Sequence, residues 1–151
     1  MVREWRGTRI DIAILDGTKA VAAIEVTSMY AFDAYGRGAQ DKHYQKVRDD
    51  LRKARSRLAA IPRAVPEAAV FGLLVVVHVE GDPSSLPVDF LKYRGVRRVL
   101  NEKSGAVLMK VSTGLREALP AAGPIESGSI PGGQCYGLAV TILSWLVSDR
   151  A

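Results

Sequence analysis

A chain of 151 residues, 48% of them hydrophobic, is long enough for one domain with a substantial core, and this composition excludes a disordered chain. Its 21 Lys and Arg outnumber 16 Asp and Glu, a net charge of +5 that suits a polyanionic partner without requiring one. The single cysteine, Cys135, excludes an internal disulfide and fits a reducing, cytoplasmic setting; the longest apolar run, at 70–79, is too short to span a bilayer, and the N-terminal "MVREWRGTR" has no secretory h-region.

Residues 8–15, "TRIDIAIL", alternate with Ile10, Ile12 and Ile14 on one side, which predicts a strand. "DGT" is a turn signal, and "KAVAAIEVT" (19–27) reads as the hairpin partner. Residues 28–38, aromatic and glycine-bearing, predict a loop leading into a helix. In that helix, "QDKHYQKVRDDLRKARSRLAAI", Tyr44, Val47, Leu51, Ala54 and Leu58 recur at helical spacing, and Pro62 stops it. "AVFGLLVVVHV" is apolar at consecutive positions and predicts a central strand covered on both faces. Residues 87–103 predict a helix weakened by Gly95, 106–111 ("AVLMKV") a strand, and "TGLREAL" a short helical turn. The Pro-, Gly- and Ser-rich 120–133 predicts a loop, and 135–147 a last strand. A hairpin followed by helical crossovers gives an α/β domain with a mixed central sheet flanked by helices.

Two acids interrupt the apolar hairpin. Asp11 faces away from the isoleucines of its strand, and Glu25 shares a face with Thr27 on the next. A half-buried carboxylate is costly unless paired or metal-bound, and two close together repel. A hard divalent cation relieves both costs. Register decides whether the acids meet. A two-residue Asp16-Gly17 turn leaves Glu25 on the wrong face, whereas a three-residue loop sets Asp11 opposite Ala23 with Glu25 as its diagonal neighbour, about 7–8 Å away. A shared site therefore needs an odd loop or a bulge.

An Asp on one strand, then Glu-x-Thr on the next, then a helix carrying "QKVRDDLRKA", resembles the PD-(D/E)XK nuclease superfamily over roughly residues 8–80. The resemblance implies a restriction endonuclease-like core and hydrolysis of phosphodiesters in DNA, with RNA second. It implies that Asp11 and Glu25 hold Mg2+, or Mn2+ in its place, with the carbonyl of Val26. Thr27 stands where the family has its lysine, and a hydroxyl carries no positive charge. Some members place that lysine on the following helix, where Lys42 and Lys46 could reach back, Lys46 being the favoured replacement, and Gln40 and Gln45 are further polar candidates at the same end. The family's preceding helix, often with a glutamate, is represented here only by the short segment containing Glu4. A member that has lost catalysis and binds nucleic acid or a protein partner is the alternative, and an unrelated scaffold with structural acids is a third.

The other candidates carry less chemistry. His78, in an apolar strand, reads as a hydrogen-bonded core residue, and Cys135 as a small buried one. Tyr30, Phe32 and Tyr35 have the character of base-stacking platforms, or of a loop anchoring itself to the core. Lys92, Arg94, Arg97 and Arg98 suit phosphate contacts or a solvated helix face. A homodimer, or a larger partner that supplies targeting, is compatible with so small a chain.

Overall fold

The computed structural model describes residues 9–36, 39–85 and 94–149. Strands β1 (Ile12–Asp16) and β2 (Lys19–Tyr30) form an antiparallel hairpin. A 3-10 turn (Ala31–Tyr35) leads into helix α1 (Ala39–Ala59), which crosses to β3 (Ala64–Glu80), parallel to β2. Helices α2 (Arg94–Val99) and α3 (Ser104–Ala118) follow, then the antiparallel hairpin of β4 (Ile125–Cys135) and β5 (Leu138–Ser148). The sheet order is β1-β2-β3-β5-β4, so the chain is α/β with a mixed five-stranded sheet.

The first hairpin is set by a turn and a bulge acting together. Gly17 takes φ +60° at the first turn position, the glycine-first pattern of a type II′ hairpin, and Asp16 pairs with Lys19. Continued unchanged, that register would place Asp11 opposite Ile24, on the wrong face. Val21 instead bulges out between the pairs Leu15↔Ala20 and Ile14↔Ala22. Beyond it Ile12 pairs with Ile24, which sets Asp11 opposite Glu25. The bulge, and not a three-residue loop, brings the acids to one face.

Helices α1 and α3 build on that face. Tyr44, Val47, Leu51, Ala54 and Leu58 of α1 are buried as the spacing predicts, together with Ala23 and Met29 of β2, Leu74 and Val76 of β3, and Leu143 and Trp145 of β5. Each large apolar side chain withdrawn from water there contributes about 1.5–3 kcal/mol. Val107, Val111 and Leu115 of α3 enter the same cluster, and Trp145 donates its indole N–H to Ser112 Oγ at 2.8 Å. The ion pair between Arg55 Nε and Asp149 Oδ2, 2.7 Å, ties α1 to the residue after β5.

Four expectations are corrected. Residues 106–111 are helical, because Val107, Val111 and Leu115 continue a stripe at i, i+4 and i+8 that a six-residue window cuts short. Much of 120–133 is strand β4, an edge whose side chains are nearly all exposed. Its order comes from the main-chain ladder to β5, and Pro131 is accommodated where the register shifts between Pro131 and Gly133. The predicted helix at 87–103 is helical over Arg94–Val99, and 86–93 lie outside the described residues. Strand β3 is central, as expected, but over most of its length the described helices cover one face: Val70, Leu74, Val76 and His78 are buried, while Phe71, Leu73, Val75 and Val77 are half-buried.

Candidate functional site

The acid pair is built by the hairpin. The Val26 N–H donates to Asp11 Oδ2 at 2.8 Å, which fixes the Asp11 carboxylate beside the backbone of the Glu25-Val26-Thr27 strand. Glu25 is 7% exposed, buried beneath α1. Burial pushes its carboxyl above the ordinary glutamate range, and the nearby negative charges of Asp11 and Asp50 add to the rise. The Arg57 guanidinium, its Nη1 3.4 Å from Glu25 Oε1, opposes the rise. Arg57 also donates to the carbonyl of Arg9, clamping the segment that leads to Asp11.

Helix α1 completes the site with one stripe. Positions 42, 46, 50, 53 and 57 recur at intervals of three and four, so Lys42, Lys46, Asp50, Lys53 and Arg57 share one side of the helix. Lys46 donates from Nζ to Thr27 Oγ1 at 3.4 Å, so an ammonium from the helix reaches the hydroxyl that stands in the strand's lysine position. Asp50 holds it there by an ion pair with Lys46 Nζ and accepts from Thr27 Oγ1 at 3.3 Å. Lys53 Nζ lies 3.8 Å from the other oxygen of Asp50. Asp50 and Arg57 are the residues that sequence reasoning missed. Their signal was present: they stand four and eleven places after Lys46, on the side of α1 that Lys46 marks.

The remaining candidates sort by position. Lys42 and Gln45 are exposed near the start of α1, with Lys42 one turn before Lys46 on the stripe. Arg97 and Arg98 are exposed on α2, and Arg98 donates to the carbonyl of Tyr35, beyond the end of β2, so they are not part of the acid cluster. Glu4, Lys92 and the side chain of Arg94 lie outside the described residues. His78 is fully buried with Nε2 2.8 Å from the Glu102 carbonyl oxygen, the hydrogen-bonded core role expected of it. Cys135 is exposed, not buried, because it ends the edge strand β4. Tyr30 and Phe32 stack on one another at 5.3 Å between centroids, and Lys110 Nζ sits 5.1 Å over the Tyr35 ring.

Asp11 and Glu25 supply two carboxylates whose mutual repulsion a divalent cation would relieve, a donor set that fits Mg2+ completed by water and a phosphate. Among the described residues no group of three or more His, Cys, Asp or Glu side chains is arranged to hold a metal ion by itself. The cluster thus sets Asp11 and Glu25 near one another with Arg57 as the cation at Glu25, and holds the Lys46 ammonium at Thr27 and Asp50. None of the described helices is long and apolar enough to cross a membrane. No protein-family model, no curated protein and no solved structure matches the chain.

Proposed function

We propose that this chain is a metal-dependent nuclease of the PD-(D/E)XK kind that hydrolyses phosphodiester bonds of DNA. One observation carries the reading: a bulge sets Asp11 opposite Glu25, and Lys46 of the next helix places its ammonium at Thr27, where the family's lysine would project. Asp11 and Glu25 are the residues that would hold Mg2+ or Mn2+, with the Val26 carbonyl as a further oxygen donor. The bound ion would supply a water of lowered pKa and charge stabilisation at the phosphoryl group. Lys46 offers fixed positive charge where negative charge grows on the phosphate oxygens. Asp50 orients Lys46 and is a positioning residue. Lys42, Lys53 and Arg57 extend the positive stripe along which a phosphate backbone would run.

A specific observation favours a second reading. The Arg57 guanidinium already lies against Glu25, and Asp50 already engages Lys46, so both polar partners of the site are internally compensated. That is the arrangement expected of a nuclease-fold protein that binds nucleic acid or a protein without cutting.

Cleavage of supercoiled plasmid and of single-stranded DNA, with Mg2+ or Mn2+, separates the two. The wild-type chain should cut at least one substrate, and Asp11→Ala and Glu25→Ala should each abolish cutting. Equal traces of cutting in all three preparations would reject the enzyme and leave the binding reading.

A further inference from the structure

Among the described residues, the sheet has a second face that no helix covers over most of its area. On this side lie Ile24 and Val26 of β2, Leu73 and Val75 of β3, and Ile142 and Leu146 of β5, all half-buried. At the edges Ile12 and Ile14 are each 45% exposed and Ile130 is 65% exposed. Among the described residues only the end nearest α2 is closed, where Leu100 and Val96 pack on Leu138 and Val79. A sheet face meant for water alternates to polar residues. From Phe71 to Val79 the centre of this face carries no charged side chain; its charges, Asp16, Lys19 and Glu126, stand at the edge strands and the hairpin turn, so the centre offers little for a polyanion to pair with.

Its dimensions indicate the occupant. The strands hold 5, 12, 17, 11 and 11 residues in staggered register, and at about 3.3 Å per residue and about 4.8 Å between strands the face measures about 900 Å2. Less the end closed by α2 it is about 800 Å2, what each partner contributes to a standard stable interface. A sheet face that is apolar across its centre is also complementary to itself. Two such faces stack at about 10 Å as a β-sandwich does, and a two-fold axis through β3 would bury both at once. We infer that the uncovered sheet face is the interface of a homodimer. Asp11, Glu25 and Lys46 lie on the opposite, helix-bearing face, so the inferred pairing leaves the acid cluster of each copy open. The inference does not depend on the chain being a nuclease.

Sedimentation equilibrium of the whole chain over a micromolar concentration series tests this. The wild type should behave as a dimer. Val75→Lys, at the centre of the face, should be a monomer, and the double variant Ile12→Lys with Ile14→Lys, at half-exposed positions the fold tolerates, should weaken association by about tenfold or more. Met109→Lys removes an equally apolar residue, 71% exposed on the helix layer, and should leave the dimer intact. Circular dichroism reports whether each variant is folded, and the Ile12/Ile14 pair keeps the test decisive if Val75→Lys does not fold. A monomeric wild type overturns the inference and assigns the face to a different partner. A dimer that survives the Ile12/Ile14 change, or that Met109→Lys dissociates, overturns it as well.

Discussion

Glu25 is a carboxylate placed where ionisation is disfavoured by burial and by two other acids, with only Arg57 opposing. Folding therefore favours its protonated form. The contribution of this group to stability is fully present below the unfolded pKa and is lost as pH rises through the raised folded value. Glu25→Gln should raise the melting temperature at neutral pH and flatten its fall as pH rises above the unfolded glutamate range, measured by calorimetry. Mg2+ should raise the melting temperature of the wild type at neutral pH and leave Glu25→Gln nearly unmoved, because a cation bound only by the folded state stabilises it. A wild type indifferent to Mg2+ and Mn2+ would remove the metal from the proposed site. The lysine question is settled by exchange. Lys46→Ala should lower kcat by about 10²–10³-fold, the usual cost of removing one electrostatic stabiliser of a transition state. Thr27→Lys in the Lys46→Ala background should recover part of it, since the strand position is the one from which the family's lysine acts. Asp50→Asn should cost about 10–100-fold in kcat with KM little changed, and Asp50→Glu should restore part of it, a split that a purely structural role would not produce.

Among the elements, α1 does the most for the site: its apolar stripe fixes it on the sheet and its charged stripe faces the hairpin. Its depth on the sheet depends on close approaches. A Cβ added at Gly114 of α3 would lie 2.5 Å from Cε2 of Tyr44, and one at Gly72 of β3 would lie 2.9 Å from Cγ1 of Val47. Gly114→Ala, a change that ordinarily stabilises a helix, should here destabilise by about 1–3 kcal/mol through overpacking against Tyr44, read by urea unfolding. The same elements show what the sequence could disclose. The first hairpin, α1 and β3 were legible because their apolar periodicity runs long enough to name one period. The acid pair was legible only conditionally, since alternation shows which face Asp11 occupies but not the register that sets it against Glu25. That register hangs on the bulge at Val21, where β-branched and alanine neighbours give no local sign. Helix α3 was hidden because Val107 and Val111, read without Leu115, look like strand residues. Strand β4 was hidden because an edge held by main-chain bonds needs no apolar pattern at all.

At the scale of the molecule, charge and apolarity are divided between the two sides of the sheet. The helix side carries the acids and the stripe from Lys42 to Arg57, and the other side is apolar across its centre, with Asp16, Lys19 and Glu126 at the edge strands and the hairpin turn. A net charge of +5 spread evenly would give weak attraction to any polyanion, whereas a stripe along one helix gives a track. If the stripe follows a nucleic-acid backbone, the logarithm of the binding constant should fall linearly with the logarithm of salt, by about 0.9 for each phosphate neutralised on duplex DNA. Lys42→Ala and Lys53→Ala should each reduce that slope by about one without changing preference among sequences, because phosphate contacts carry no base information. Arg97→Ala with Arg98→Ala, on α2 beyond the end of β2, should leave the slope nearly unchanged. Fluorescence anisotropy with a labelled duplex in Ca2+, with no cleavage under way, measures all three. A slope that responds to the α2 arginines and ignores the α1 lysines would move the nucleic acid off the acid cluster. Glu25 and Asp11 would then be structural acids held by Arg57 and the Val26 amide, and cutting by this chain would have no route to the phosphate.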